Sequence, residues 1–130
     1  MGRRGGGGSS AGEILEGMTF MQPEAPGAPA VQFPDDAVMV DVREQDEWDA
    51  GHAVNAVHIP LAELPARVGE LPEVDGALPI FCRSGNRSGR AVQWLVAQGY
   101  DVLNAEGGML AWNAAGKKMV SENGQEPTVT

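Results

Sequence analysis

The sequence predicts an α/β domain with a small, mostly parallel, twisted sheet of about four to five strands and helices on both of its faces. Short apolar runs without polar alternation are typical of strands covered on both sides, and apolar residues at helical spacing lie between these runs. The first run, "AVMVDV" (residues 37–42), predicts a strand. "EQDEWDAG" after it predicts a short helix that stops at Gly51.

The other elements follow in alternation. "AVNAVHIP" predicts a second strand ended by proline, and "LAELPARVGELP" predicts interrupted helical turns. "ALPIFC" (residues 77–82) predicts the third strand, followed by a tight loop and a helix that ends at Gly99. "DVLNAEGG" predicts the last strand, and "MLAWNAAGKK" predicts a last helix that ends at Gly116. Strands that alternate with helices favour right-handed parallel connections.

The composition divides the chain into three parts. Residues 1–34 are rich in Gly, Ser and Pro and are predicted to be a flexible segment, whose first dozen residues have the composition of a cloning linker. Residues 35–120 hold the folded domain. The polar residues 121–130 are predicted to be a disordered tail.

The overall charge of the chain disfavours some classes of function. Nine basic and 18 acidic residues give a net charge of −9, which disfavours binding to nucleic acid or to an anionic membrane. The single cysteine cannot form an internal disulfide, and the paired arginines near the start have no apolar run behind them, as a secretory signal would require. We therefore expect a cytoplasmic protein.

The stretch "CRSGNRS" (residues 82–88) carries the chemistry. Cys82 ends a predicted strand just before a helix, where parallel sheets form their ligand crevices. Backbone N–H groups of such a loop, with Arg83 and Arg87, are expected to stabilise a thiolate at Cys82. The alternative, a cysteine that only packs in the core, is disfavoured by the position, the glycine and the arginines. Asn86 or Ser88 is expected to cap the helix.

Two types of substrate suit a thiolate that is surrounded by anion-binding N–H groups and arginines. Cysteine-dependent phosphatases and related arsenate reductases place one residue more between the cysteine and the phosphate-binding arginine than this sequence does, where Arg87 follows Cys82 after four residues. Ser88 stands where their arginine would be. Because the loop from Cys82 to Arg87 is one residue shorter than in these enzymes, it encloses less space, which favours transfer of a single sulfane sulfur atom.

Four stretches, in this order, resemble the rhodanese family of thiosulfate sulfurtransferases: "DVREQDEW", "GHAVNAVHIP", "CRSGNRS" and "AEGGMLAW". The likeness covers residues from about 35 to 116. It implies that Cys82 carries a persulfide. Asp41 and Arg43 lie at the end of a predicted strand, and an internal ion pair of Arg43 with Glu47 or another carboxylate, which supports the scaffold, is favoured there over substrate contact. The likeness also implies a substrate-binding loop made of Arg83, Ser84, Gly85, Asn86, Arg87 and Ser88.

The resemblance implies a reaction by double displacement. The donor is thiosulfate or a persulfide, and the acceptor is cyanide, a thiol or a thiol-bearing partner protein. A sulfur-carrier module that delivers persulfide to a partner remains an alternative, and no cofactor or metal is predicted. His52 and His58 are given structural roles, because no ligand cluster accompanies them.

Two features depart from the family pattern. Asn55 stands where the motif has glycine, and asparagine tolerates the left-handed conformation that such a turn needs. The proline-rich stretch replaces the usual first strand and helix, so we expect one edge of the sheet to be less covered.

Overall fold

The structure, a computed structural model, describes residues 25–130. It contains seven strands in this part of the chain, which are β1 Gly27–Pro29, β2 Met39–Asp41, β3 His52–Ala53, β4 Ala56–His58, β5 Leu78–Phe81, β6 Val102–Glu106 and β7 Met119–Val120. Five of them form a parallel sheet in the order β1-β6-β5-β2-β4. β3 and β7 form a separate antiparallel pair. The predicted α/β fold class is confirmed.

Helices cover both faces of the sheet. They are α1 Gln45–Ala50, α2 Asn86–Ala97 and α3 Gly108–Ala114, with 3₁₀ turns at Ala30–Gln32, Leu61–Ala66 and Val68–Glu70. Successive strand residues point to opposite faces. Val40 and Ile80 therefore pack with Leu95 of α2 on one side, while Phe81 packs with Trp112 of α3 on the other. Among residues 25–130, no helix is long and apolar enough to cross a membrane.

The prediction of a flexible segment up to residue 34 is wrong for residues 25–34, and residues 1–24 lie outside the described part. β1 pairs with β6 in register, Gly27 opposite Asn104, and the carbonyl of Pro26 accepts a hydrogen bond of 2.8 Å from the Asn104 N–H. Prolines are compatible with an edge strand, because only one side of such a strand needs hydrogen-bond donors. The stretch that looked like a linker thus supplies the edge of the sheet.

The prediction of a disordered tail at residues 121–130 also differs from the structure. These residues, which we name the strap, follow β7 and run along the end of α1. The Glu122 N–H donates to the Asp49 carbonyl and the Thr128 N–H to the Ala50 carbonyl, both at 2.9 Å. Val129 packs against the core on the α3 side. A polar sequence can be held in place in this way because backbone groups make most of its contacts.

Candidate functional site

Cys82 directly follows β5, and its side chain is held by the turn that starts α2. Gly85 stands at the N-cap of α2 with a φ of 107°, a conformation that favours glycine. This turn directs the Gly85 N–H at the Cys82 Sγ, 3.1 Å away. No side chain caps α2, so the predicted capping by Asn86 or Ser88 is wrong.

The start of α3 holds the outer side of the same loop. The Met109 N–H donates to the Cys82 carbonyl at 2.9 Å, and the Leu110 N–H donates to the Arg83 carbonyl at 3.0 Å. A Cβ on Gly108 would lie 2.5 Å from the Cys82 oxygen, so this close approach requires glycine. α3 thus binds two carbonyls of the loop, while the Gly85 N–H of the same loop points at the sulfur.

A side-chain network surrounds the sulfur. The Ser88 Oγ lies 3.2 Å from the Cys82 Sγ and 2.6 Å from the Asn104 Oδ1 on β6, so its one hydroxyl proton is shared between these two acceptors. The Asn104 Nδ2 donates to the Gly85 carbonyl at 3.1 Å, which closes a ring around the turn. Nothing in the sequence pattern singles out Asn104, apart from its being a polar residue inside an apolar strand.

The pKa of Cys82 reflects two opposing effects. Burial raises it, because the thiolate is poorly solvated, and the residue is only 1% exposed. Hydrogen bonds to the sulfur from the Ser88 hydroxyl and from the backbone N–H groups of Ser88, Gly85 and Ser84 lower it. The hydrogen bonds outweigh the burial, so the pKa of Cys82 lies below its ordinary value. The loop therefore favours a thiolate.

Arg87 lies beside the site in an ion pair. Its Nη1 and Nη2 donate to the two carboxylate oxygens of Glu47 at 2.7 and 2.9 Å. The hydrogen bond from Arg87 lowers the pKa of Glu47 to about 2, although partial burial opposes this. The same contact raises the pKa of Arg87, and the nearby Cys82 charge adds to that rise. Arg87 is thus held by Glu47 and is near enough to Cys82 for their charges to attract each other.

The other predicted loop residues face outward. Arg83, Ser84 and Asn86 are exposed, and Arg83 Nε donates to the backbone oxygen of Thr130, the last residue of the sequence, at 2.8 Å. Ser84 acts on the sulfur through its backbone N–H. Asn86 is the first residue of α2.

Asp41 and Arg43 form a fully buried ion pair at the end of β2. Arg43 Nη2 lies 2.7 Å from Asp41 Oδ2, and Arg43 Nε bonds both carboxylate oxygens. Nη2 also donates to the Gly51 carbonyl at 2.7 Å. Arg43 Nη1 is buried without a hydrogen-bond partner among residues 25–130. Arg43 is therefore paired with Asp41, while Glu47 is paired with Arg87.

The two histidines stack on the Trp48 ring. The ring centroid of His52 lies 3.5 Å from that of Trp48, and the centroid of His58 lies 4.8 Å from it. His52 Nε2 lies 2.7 Å from Glu122 Oε2 of the strap, and His58 Nε2 lies 2.7 Å from the Arg43 carbonyl. Within the described part of the chain, no group of three or more His, Cys, Asp or Glu residues is arranged to hold a metal ion.

A cavity of about 560 Å³ lies at the amino-terminal ends of the parallel strands, on the far side of the sheet from Cys82 along the strand direction. It is lined by Leu78 and Val102, which begin β5 and β6, and by Val74 and Tyr100. Cys82 lies beyond the other end of β5. The thiol and the polar donors described above therefore lie at the carboxyl ends of the strands, away from this cavity.

Comparison with known proteins finds the same family by sequence and by structure. The model of the family described as "Rhodanese-like domain" matches residues 30–115. A protein of Allochromatium vinosum named "Sulfurtransferase" is 38% identical over 91 residues, which cover 69% of this chain and 84% of that protein. A Bacillus subtilis protein named "Putative sulfur carrier protein YrkF" is 41% identical over 75 residues, which cover 57% of this chain and 40% of that protein.

Among solved structures, the chain is similar to a rhodanese-related protein from Thermoplasma volcanium. The two share 32% sequence identity with a TM-score of 0.64, over 73% of this chain and 97% of the other. The comparison therefore covers nearly the whole of that protein.

Proposed function

This chain belongs to the rhodanese-like domain family, and from that premise we propose that it is a sulfurtransferase in which Cys82 carries a sulfane sulfur as a persulfide. The observation that carries the proposal is the set of hydrogen bonds to the Cys82 Sγ from Gly85 N–H and the Ser88 hydroxyl. They stabilise a thiolate, which is the nucleophilic form of cysteine.

In the first half of the proposed reaction, the thiolate attacks the outer sulfur of thiosulfate. A new bond forms between the two sulfur atoms, the S–S bond of thiosulfate breaks, and sulfite leaves with the electron pair. Sulfite is a good leaving group, so no separate general acid is needed. This is consistent with a site that holds hydrogen-bond donors around the sulfur.

In the second half, an acceptor such as cyanide or a thiolate attacks the outer sulfur of the persulfide. The bond between that sulfur and the Cys82 Sγ breaks, and its electrons return to Sγ as thiolate. The donors from Gly85 and Ser88 stabilise the departing thiolate as they stabilised the attacking one. The two half-reactions use the same residue in turn.

Thiosulfate is the proposed donor because of size and charge. Cys82 is 1% exposed, which favours a small donor with a protruding sulfur atom. Arg83 and Arg87 lie in the same loop and provide positive charge for a dianion in a chain with a net charge of −9. A free, reactive thiol is stable in a reducing compartment, so a cytoplasmic location is part of the proposal.

The second candidate function is a sulfur carrier for a partner protein. It is favoured by the similarity to YrkF, whose printed name describes a carrier. A carrier uses the same Cys82 persulfide and differs in its donor and in its acceptor.

The test is the intact mass of the purified protein after brief incubation with thiosulfate and again after addition of cyanide. We expect a gain of one sulfur atom, its removal by cyanide with formation of thiocyanate, and no gain in Cys82→Ser. Arg87→Ala should weaken the use of thiosulfate and leave Cys82 open to alkylation.

The other outcomes separate the alternatives. Sulfur uptake from a polysulfide or a protein persulfide, without uptake from thiosulfate, would support the carrier. Turnover of a phosphate or arsenate substrate without any sulfur uptake would refute both sulfur functions.

A further inference from the structure

Asn104 lies under the active-site loop, between the sheet and the first turn of α2. Its backbone N–H donates to the Pro26 carbonyl at 2.8 Å. In the sheet it pairs in register with Gly27 of β1 and Ile80 of β5, so strands on both sides fix its backbone. A Cβ at Gly89 would lie 3.4 Å from the Asn104 Nδ2, so the amide packs closely against α2. The fold therefore places this side chain.

The hydrogen bonds of the Asn104 amide decide which of its atoms faces Ser88. The Gly85 carbonyl can only accept, so the atom that bonds to it at 3.1 Å is the Nδ2. The Oδ1 therefore faces Ser88. Because this oxygen carries no proton, the Ser88 hydroxyl is the donor in their 2.6 Å contact. Asn104 is thus an acceptor for the Ser88 proton as well as a support for Gly85.

The Ser88 hydroxyl has a second acceptor, the Cys82 Sγ at 3.2 Å. Ser88 is fully buried, and rotation about its Cβ–Oγ bond turns its one proton towards one acceptor or the other. A thiol at Cys82 can donate its own proton to the Ser88 oxygen while the hydroxyl donates to Asn104. A thiolate draws the hydroxyl to itself, because a charged acceptor binds a donor more strongly than a neutral one does. Asn104 then loses its donor.

We infer that Asn104 is a positioning residue that competes with the Cys82 Sγ for the Ser88 proton, and that it thereby limits how strongly the loop stabilises the thiolate. Ionisation of Cys82 breaks the bond between Ser88 and Asn104, so the thiolate gains only the difference between two hydrogen bonds. A thiolate that is stabilised less is also the better nucleophile, since nucleophilicity falls as the pKa of a thiol falls.

The inference rests on the proposed role of Cys82 and extends to both halves of that reaction. Once a second sulfur is bonded to Sγ, the negative charge lies on the outer sulfur and Sγ becomes a weaker acceptor. The Ser88 hydroxyl then turns back to Asn104. When the acceptor breaks the S–S bond, the electron pair returns to Sγ and the hydroxyl turns with it. The proton stays on Ser88 throughout, and only the direction of its hydrogen bond changes.

The test is a double-mutant cycle of Asn104→Leu and Ser88→Ala. The pKa of Cys82 is measured from the pH dependence of alkylation by iodoacetamide, in which the thiolate bonds to the CH₂ carbon and iodide leaves with the electrons of the C–I bond. We expect Asn104→Leu to shift this pKa downward relative to the shift that it causes in Ser88→Ala, where no hydroxyl can be released. The pH-independent rate constant at high pH should fall together with the pKa.

Comparison of the two backgrounds removes the structural part of the change, because the bond from Nδ2 to Gly85 is lost in both. Asn104→Ala is the second variant, since it removes the same acceptor without adding volume beside Gly89, and it should give a shift of the same sign. The matched control is Asn113→Leu, the same substitution at an exposed position of α3, which should leave the pKa of Cys82 unchanged.

Two outcomes would overturn the inference. Equal shifts in the two backgrounds would mean that Asn104 acts without the Ser88 proton. A shift that is more upward when Ser88 is present would mean that Asn104 holds the hydroxyl in place for the thiolate instead of competing with it. Alkylation needs no sulfur donor, so a protein that takes up no sulfur but shows the expected cycle would refute the proposed function and leave the role of Asn104 standing.

Discussion

Cys82 and the Asp41–Arg43 pair lie at the carboxyl ends of the neighbouring strands β5 and β2, and both are buried. The charge of Asp41 is neutralised by a guanidinium at 2.7 Å. The Cys82 Sγ accepts hydrogen bonds from neutral groups only, which are the Ser88 hydroxyl and the backbone N–H groups of Ser84, Gly85 and Ser88. A salt bridge holds a permanent charge in place, whereas neutral donors suit a charge that, in the proposed reaction, passes from the Cys82 Sγ to the outer sulfur of a persulfide. The difference separates a structural site from a reactive one.

The largest effect is expected from breaking the structural site. Arg43→Met leaves the carboxylate of Asp41 buried without its partner, so we expect the free energy of unfolding to fall by about 3–5 kcal/mol in urea denaturation. The double variant Asp41→Asn/Arg43→Met removes both charges and should recover much of that loss. A loss well below 1 kcal/mol for Arg43→Met, or an equal loss in both variants, would contradict a structural role for the pair.

At the reactive site the expected effect is on ionisation. Ser88→Ala removes the side-chain donor to the sulfur and keeps the backbone donors, so we expect the pKa of Cys82 to rise. The pH dependence of alkylation by iodoacetamide measures this pKa. Ser84→Ala is the matched control, because Ser84 acts through a backbone N–H that alanine retains. Equal shifts in the two variants, or no shift in Ser88→Ala, would refute the role of the hydroxyl.

The smallest effect is expected at the ion pair between the two sites. Glu47→Gln removes the charge that binds Arg87, and glutamine can still accept from the Glu44 N–H at the start of α1. We expect a loss of about 1 kcal/mol at neutral pH, since both side chains are partly exposed.

The pH dependence of this loss has a definite sign. The pKa of Glu47 is lowered from 4.5 to about 2, so its contribution is fully present above pH 4.5 and is lost as the pH falls through about 2. The difference in unfolding free energy between wild type and Glu47→Gln should therefore shrink on acidification. A difference that stays constant down to the acid transition would contradict a charge effect.

Local patterns in the sequence predicted the central strands and helices. β2, β5, β6 and α2 all lie where apolar runs or helical spacing placed them, because each pattern reports burial within a single element. β1 and the strap escaped prediction. Their order depends on hydrogen bonds to β6, α1 and Arg83, which lie far away along the chain.

Within the site, too, local sequence patterns and contacts between distant residues contributed different features. The sequence by itself determined the reactive loop, since a thiol, a glycine that turns left-handed and a helix start are adjacent in the chain and form the turn locally. Only the tertiary structure decided which distant residues bind the loop. Asn104 accepts a hydrogen bond from Ser88, Glu47 forms an ion pair with Arg87, and Thr130 accepts a hydrogen bond from Arg83. These partners are 16, 40 and 47 residues away from the loop residues they bind. A sequence pattern reports the periodicity of one element, whereas the choice among distant hydrogen-bonding partners depends on which elements the folded core brings together.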